Sequence, residues 1–244
     1  MSVYETITTA KAKGQKLFAM LVDPEKCTTE RLETIAEAAG KARPDFVFVG
    51  GSQLRQSTET TIAAIKQRCN VPVVLFPGNA MQLADNADAL LLLSLISGRN
   101  AEWLVGRQVK AALQIHRLGI ETIPTGYILI DGGRTTAVQR ISRTQPIAAN
   151  DTDLAVATAL CGRQAGKQLI YLEAGSGADN PVPPETIRAV SRMLDVPLVV
   201  GGGITSTKAL RCAYAAGADL VVVGNHFESR LDDLAAFVET AHNL

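Results

Sequence analysis

The stretch DVPLVVGGGI, residues 195–204, decides the architecture: a short, unbroken apolar run stops abruptly in three glycines. Continuous apolarity without polar alternation is what a strand of a parallel sheet needs, because helices cover both of its faces. The same design returns in ADLVVVGN at 218–225, NVPVVLFPG at 70–78 and PDFVFVGG at 44–51. Along the whole chain such runs fall at Leu17 to Val22, Phe46 to Val49, Val71 to Phe76, Ala89 to Ile96, Tyr127 to Ile130, Leu169 to Leu172, Val196 to Val200 and Leu220 to Val223. Amphipathic stretches with helical spacing separate most of them: Thr29 to Ala42, Ser57 to Cys69, Arg99 to Leu118, Asp151 to Gly166, Pro184 to Leu194, Ser206 to Ala216 and Glu228 to His242. Strand then helix, repeated through 244 residues with no linker-like segment, predicts an α/β fold, one (β/α)8 TIM barrel spanning residues 1–244. An open doubly wound sheet is the alternative. One unit breaks the rule, since Gly78 to Asp88 is too short for a crossover carrying a full helix. A shortened or modified βα unit is therefore expected at about residues 77–88.

Composition narrows the partners. Lys plus Arg number 24 against 24 Asp plus Glu, so no summed field points to nucleic acid. With 47% apolar and 20% charged residues the chain can bury a sizeable core. Its longest apolar run, near Leu90, is far below the ~20 residues that span a bilayer. The polar start MSVYETITTAKAKGQK lacks the apolar stretch of a secretory signal, so a cytoplasmic location with reduced thiols is expected. Cys27, Cys69, Cys161 and Cys212 form no CxxC pair, and His116, His226 and His242 have no HxxxH spacing, which argues against a disulfide frame or zinc cage. Buried free thiols are the plain reading.

In a barrel the reacting groups come from the carboxyl ends of the strands. Those positions hold Asp23 with Pro24, Glu25 and Lys26; Gly50, Gly51 and Ser52; Pro77, Gly78 and Asn79; Asp131, Gly132 and Gly133; Glu173 to Gly177; Gly201 to Gly203; and Gly224 with Asn225. Glycine turns after the sixth, seventh and eighth strands bring main-chain N–H groups together, and a helix after Ile204 adds its dipole. That arrangement holds a phosphate dianion without a basic side chain, with Ser176 and Asn225 as further donors. Glu173 cannot hold phosphate and is expected to accept hydrogen bonds from hydroxyls of the same ligand, a phosphorylated polyol. Asp23 reads equally as a helix cap, a salt-bridge partner or, with Ser52 on the neighbouring strand, a sparse oxygen site for Mg2+.

With those residues in view, the sequence resembles the geranylgeranylglyceryl phosphate synthase and heptaprenylglyceryl phosphate synthase family over almost its whole length. YLEAGSG at 171–177, followed by ADNPVP, carries the resemblance most specifically. LVDPEK at 21–26, VGGS at 49–52, VGGGI at 200–204 and VVGN at 222–225 join it in the same order. The family implies a barrel with one modified βα unit and a Mg2+-dependent prenyltransferase. It joins sn-glycerol 1-phosphate to a polyprenyl diphosphate, most naturally geranylgeranyl diphosphate, through an ether bond with release of diphosphate. Carried over by position, the resemblance implies Mg2+ at Asp23 and Ser52. It implies glycerol phosphate contacts at Tyr171, Leu172, Glu173, Ala174, Gly175, Ser176, Gly177, Gly202, Gly203, Gly224 and Asn225, with Asp23 and Glu173 as catalytic residues. It further implies a homo-oligomer, dimer or hexamer. A transient membrane contact is expected from the lipid substrate, and Leu90 to Leu95 with neighbouring strands are candidates for lining a prenyl groove. The arginines of DGGRTTAVQR, 131–140, match no family role.

Two other readings are open at this stage. A barrel isomerase or cyclase acting on a sugar phosphate would use the same cup, with Asp23 and Asp131 as its acid/base pair. A non-catalytic sensor of a phosphate ligand would bind without turnover.

Overall fold

The computed structural model describes residues 1–51, 57–78 and 82–244. Eight parallel strands close into a barrel in sequence order: β1 (Leu17–Val22), β2 (Phe46–Val49), β3 (Val73–Leu75), β4 (Ala89–Leu95), β5 (Glu121–Leu129), β6 (Leu169–Glu173), β7 (Leu198–Gly201) and β8 (Leu220–Val223). β8 pairs back onto β1, with Leu17 opposite Leu220, so no strand edge is left open. The (β/α)8 TIM barrel expected from the run pattern is the fold observed, and the open sheet is excluded.

Alternation sorts each strand into two cores. Phe46, Phe48, Val74, Leu91, Tyr127, Leu169, Tyr171, Val199 and Val222 fill the barrel, while their neighbours Val47, Val49, Leu90, Ile128, Ile170, Leu172, Val200 and Val221 pack outward. Helices α2 (Thr29–Ala42), α3 (Thr58–Lys66), α6 (Thr152–Gln164), α7 (Pro184–Met193), α8 (Thr207–Ala216) and α10 (Leu234–His242) contribute to the outer layer. Their starts follow local chemistry: Thr28, Asp151 and Ser206 each accept an N–H of the first turn.

Three elements were not foreseen. The opening helix α1 (Val3–Lys13) buries Val3, Ile7 and Ala10 in the inner core. Its capping box of Ser2 and Glu5 is reinforced by Glu121, whose carboxylate accepts from Val3 N at 2.7 Å and Tyr4 N at 3.0 Å. The loop after β5 contains a short helix, α5 (Ala137–Ser142), and another, α9 (Asn225–Ser229), follows β8 directly. Strand β5 also begins six residues before Tyr127, at Glu121, because its polar first half pairs with β4.

The expected short crossover is present: no α-helix stands between β3 and β4 among the described residues. Side chains tie the connection instead. Gln82, fully buried, accepts from Gly78 N at 2.7 Å and donates to Gly51 O at 2.7 Å. Asp88 accepts from Val73 N at 2.7 Å. After β4 a π-helical turn (Glu102–Gly106) runs into α4 (Arg107–Leu118), a helix with Ala111 as its buried residue. No helix among the described residues is long and apolar enough to cross a membrane. The expectation of buried thiols holds for Cys69 but fails for Cys161 and Cys212, which lie exposed on α6 and α8, on faces turned from the sheet.

Because Glu121 caps α1 from the far end of β5, Glu121→Ala should cost about 1 kcal/mol of stability, read as a lower urea midpoint with an unchanged slope.

Candidate active site

The inward parity of each strand, extended one step past its end, delivers the site. Ala19 and Leu21 lead to Asp23 on β1, and Leu169 and Tyr171 lead to Glu173 on β6. One cavity at the carboxyl end of the barrel is bordered by Asp23 and Glu173, by the glycine turns, and by an apolar wall.

Glu173 is 6% exposed and has no basic partner among the described residues. Its Oε1 accepts from Gly175 N at 2.6 Å, and the hydroxyls of Tyr171 and Tyr127 donate to the same carboxylate. Burial raises its pKa above the ordinary carboxylate value, and the three donors pull the other way. Both tyrosines are driven well above the usual phenol range, first by burial and then by the charge of Glu173, so their hydroxyls keep their protons. Phe76 packs on both rings, at 5.4 Å from Tyr171 and 5.8 Å from Tyr127. The result is a shielded carboxylate that charges reluctantly and can accept a proton from an alcohol.

Asp23 serves as the cap of the turn Pro24–Lys26, accepting from Glu25 N at 3.2 Å. The same carboxylate lines the cavity, so the capping and site readings hold together rather than exclude each other. Among the described residues no ion pair reaches it; Lys26 Nζ sits 2.7 Å from Glu228 Oε1 instead. Half-burial raises the Asp23 pKa, against the hydrogen bond from Glu25 N and the charge of Lys26. Gly51 makes room for this group: a Cβ there would lie 2.5 Å from Asp23 Oδ1. Ser52, the expected second oxygen ligand, and Asn79 lie outside the described residues. No group of three or more His, Cys, Asp or Glu that could hold a metal occurs among the described residues. A lone uncompensated carboxylate facing a cavity fits a hard cation that keeps its waters and takes phosphate oxygens, as Mg2+ does.

The three glycine turns form a cup of Ser176, Gly177, Gly202, Gly203, Gly224 and Asn225, all bordering the cavity, and the β8 turn lies next to the end of β1 that carries Asp23. Gly202 is irreplaceable by geometry: its φ is +81°, and a Cβ would fall 2.5 Å from both Glu173 Oε1 and Gly175 N. The helix expected after Ile204 is present as α8, starting at Thr207, but its first turn is closed by Ser206 Oγ, which accepts from Ala209 N at 3.2 Å. The open helix end belongs to α9, which has no side-chain cap and starts at Asn225. Loops after the last strands together with a short extra helix are a recurrent anion cradle of such barrels. Ser176 is already engaged, donating from Oγ to Asn225 Oδ1 at 2.7 Å, and this bond joins the β6 and β8 turns.

Three of the expected contact residues stand away from the cavity. Leu172 has outward parity and is buried among the outer-core residues, as is Ala174. Gly175 acts through Glu173, to which its N–H is committed. Asp131 likewise does not border the cavity; it is exposed and accepts from Gly133 N at 2.9 Å, so it cannot face Asp23 as an acid/base partner. Conversely, sequence reasoning missed Phe76 and Tyr127, which inward parity could have found. It also missed Arg107, whose guanidinium stacks 3.4 Å over the Trp103 ring and donates to Gly78 O at 2.7 Å. His226 lines the cavity too, and its Nε2 lies 2.8 Å from Asp233 Oδ2.

The apolar wall comes from Phe76, from Leu90 to Leu93 with Leu95, and from Trp103, Ala111 and Ile115. Outward-facing Leu90 and Leu92 reach this space because no crossover helix covers β4.

The fold and site define the class: a (β/α)8 barrel enzyme whose carboxylates stand at the ends of its strands. The model of the PcrB family matches residues 9–241. The geranylgeranylglyceryl phosphate synthase of Flavobacterium johnsoniae is 46% identical over 229 residues, 93% of this chain and 94% of that protein. That of Thermococcus kodakarensis is 40% identical over 226 residues, 92% of this chain and 89% of that protein. The crystal structure of (S)-3-O-geranylgeranylglyceryl phosphate synthase from Thermoplasma acidophilum, in complex with its substrate sn-glycerol-1-phosphate, superposes with a TM-score of 0.94 at 34% identity, covering 100% of both chains. The chain belongs to the PcrB family and by that membership is an enzyme of the prenyltransferase class.

Burial of Glu173 has a sign that can be checked. Its folded pKa lies above the unfolded 4.5, so the folded state holds the proton more tightly. Its contribution to stability is whole below pH 4.5 and is lost as pH rises through the folded value. Glu173→Gln should therefore unfold at higher denaturant than wild type at neutral pH while losing turnover. The stability gap should close below the unfolded pKa, and a gap independent of pH would contradict the assignment.

Proposed function

We propose that this chain joins sn-glycerol 1-phosphate to a polyprenyl diphosphate, geranylgeranyl diphosphate being the natural choice, through an ether bond with release of diphosphate. The observation that carries this reading is the meeting, in one cavity, of a polar glycine cup, a long apolar wall and two carboxylates, Asp23 and Glu173. A sugar-phosphate isomerase has no use for such a wall, and Asp131 is not placed to serve it.

In this reading the main-chain N–H groups of the cup hold the phosphate of glycerol phosphate. Glu173, aligned by Tyr127, Tyr171 and Gly175, accepts from the terminal hydroxyl and brings its oxygen to the first carbon of the prenyl chain. The carbon–oxygen bond to diphosphate breaks, the bond to the glycerol oxygen forms, and the hydroxyl proton goes to Glu173. Its raised pKa suits that task, since the acceptor must hold a proton once it has one. The apolar wall aligns the prenyl chain and excludes water that would compete with the alcohol.

Asp23 is the candidate holder of Mg2+, with Ser52, which lies outside the described residues, as its expected partner. When bound there, the ion would supply charge to stabilise the departing diphosphate. Relatives named for geranylgeranylglyceryl phosphate synthesis, at 37–47% identity, support the substrate pair.

Asp23→Asn should lower ether synthesis by roughly a thousandfold, about 4 kcal/mol of transition-state stabilisation, with the circular dichroism spectrum unchanged. Affinity for sn-glycerol 1-phosphate by calorimetry should stay within a few-fold. Exhaustive chelation should abolish wild-type turnover and added Mg2+ restore it; full activity after chelation sinks the metal role.

Conversely, Glu173→Ala should weaken binding of sn-glycerol 1-phosphate about tenfold or more, as expected for a lost hydrogen bond to a charged group, while the KM for the prenyl diphosphate changes little. Equal losses for both substrates would remove Glu173 from the glycerol phosphate side.

A further inference from the structure

Helix α4 is apolar on two sides. Its inner flank, Ala111 and Ile115, borders the cavity, and Ile115 also packs against the outer core. Its outer flank exposes Val109 and Leu113 at 68% and 71%, continuing from Val105 in the π turn at 55%. These three are spaced four residues apart and so lie along one stripe of the helix surface. The other exposed large apolar side chains among the described residues, such as Leu154 and Met193, are scattered singly over other elements.

Charge accompanies the stripe. From Glu102 to Leu118 the chain carries Arg107, Lys110 and Arg117 against Glu102 alone, three cations against one acid, with His116 exposed beside them. Lys110 Nζ rests 2.6 Å from Glu102 Oε1 at the surface, and Arg107 is turned inward onto Trp103, which leaves Arg117 open at the stripe's far end. A shallow groove runs along the same helix between Val109, Ala112 and Ile120, and it shares Leu92, Gln108 and Ile115 with the main cavity. Leu92, Gln108 and Ile115 thus separate the cavity from a surface groove that contains Val109 of the stripe.

We propose that the outer face of the π turn and α4 docks on an anionic lipid bilayer, with Val105, Val109 and Leu113 set into the interface and Lys110 and Arg117 over lipid headgroups. An amphipathic helix with an apolar face and cationic flanks has the chemistry of an interfacial element, and anionic leaflets attract such cations. The docking places the α4 wall of the cavity at the level where a prenyl chain is dissolved. That purpose rests on reading the cavity as a prenyl site, whereas the binding itself does not need the reaction.

The test is flotation of the full chain with phosphatidylcholine vesicles containing one third phosphatidylglycerol, without substrate. Wild type should partition into the vesicle fraction, less so at high salt or without the anionic lipid. Val105→Glu combined with Leu113→Glu should reduce partitioning at least tenfold, and Arg117→Glu about fivefold. Turnover of a short, water-soluble prenyl diphosphate in vesicle-free buffer should be unchanged in all of these variants. Absence of wild-type binding, or equal binding by the double variant, overturns the proposal. So does a smaller assembly of the double variant by sedimentation, which would make the stripe a contact between copies. If the soluble assay yields no ether in wild type, the proposed reaction fails independently of the docking.

Discussion

Everything at the mouth of this molecule depends on one constraint, the two-residue alternation of strands in a sheet that closes on itself. Closure leaves each strand one inside and one outside, and parallel order sends every carboxyl end to the same rim. Asp23 and Glu173 meet across one opening because each continues the inward series of its own strand. Leu172, a single position out of phase, is buried on the other side of the sheet. A slip of one residue in β6 would exchange Glu173 for Leu172 inside the barrel and leave the cup without its carboxylate.

The two carboxylates differ in what compensates their burial. Glu173 is held by neutral donors, two phenols and an amide, so its charge is tolerated without being neutralised. Asp23 has a single main-chain donor, while the nearest lysine is drawn off to Glu228. Burial raises the pKa of both carboxylates, but the groups that oppose it differ: three neutral donors at Glu173, one main-chain N–H and the charge of Lys26 at Asp23. Gly202 and Gly51 are the positions where the backbone gives way so that these side chains fit.

Much of this was legible in the chain because it rests on local rules. Unbroken apolar runs ending in glycine gave the strands, and the shortfall of residues after Gly78 gave the modified unit. Asp23 and Glu173 were legible as the charged residues that end such runs. What escaped had weaker local signals. α1 is polar enough to hide its periodicity, although Ser2 and Glu5 spell a capping box; α9 is five residues long, too short for any period to register. Motif likeness carried Leu172, Ala174 and Gly175 into the contact set as a block, where parity removes the first two and the bond to Glu173 engages the N–H of the third. Phe76 and Tyr127 were passed over because an aromatic in an apolar run looks like core, which both also are. The π turn and the stacking of Arg107 on Trp103 depend on how α4 is seated, and that is a tertiary outcome.

The missing crossover helix links these observations. In this chain Leu92 stays part-exposed and, with Leu90, borders the cavity, whereas a complete βα unit would bury Leu92 under a helix, as Ile128 and Leu172 are buried in the outer core. Omitting it leaves a space that is apolar by inheritance, since these strand residues were never exposed to solvent in the ordinary barrel design. α4 then borders a hollow on one side and solvent on the other, and so retains apolar residues that no part of its own chain covers. Water alone is a poor partner for two such surfaces. Under the proposed reaction a ligand with a long hydrocarbon tail would cover the first, and under the proposed docking a bilayer would cover the second. Both proposals thus trace back to the one crossover that carries no helix between β3 and β4 among the described residues.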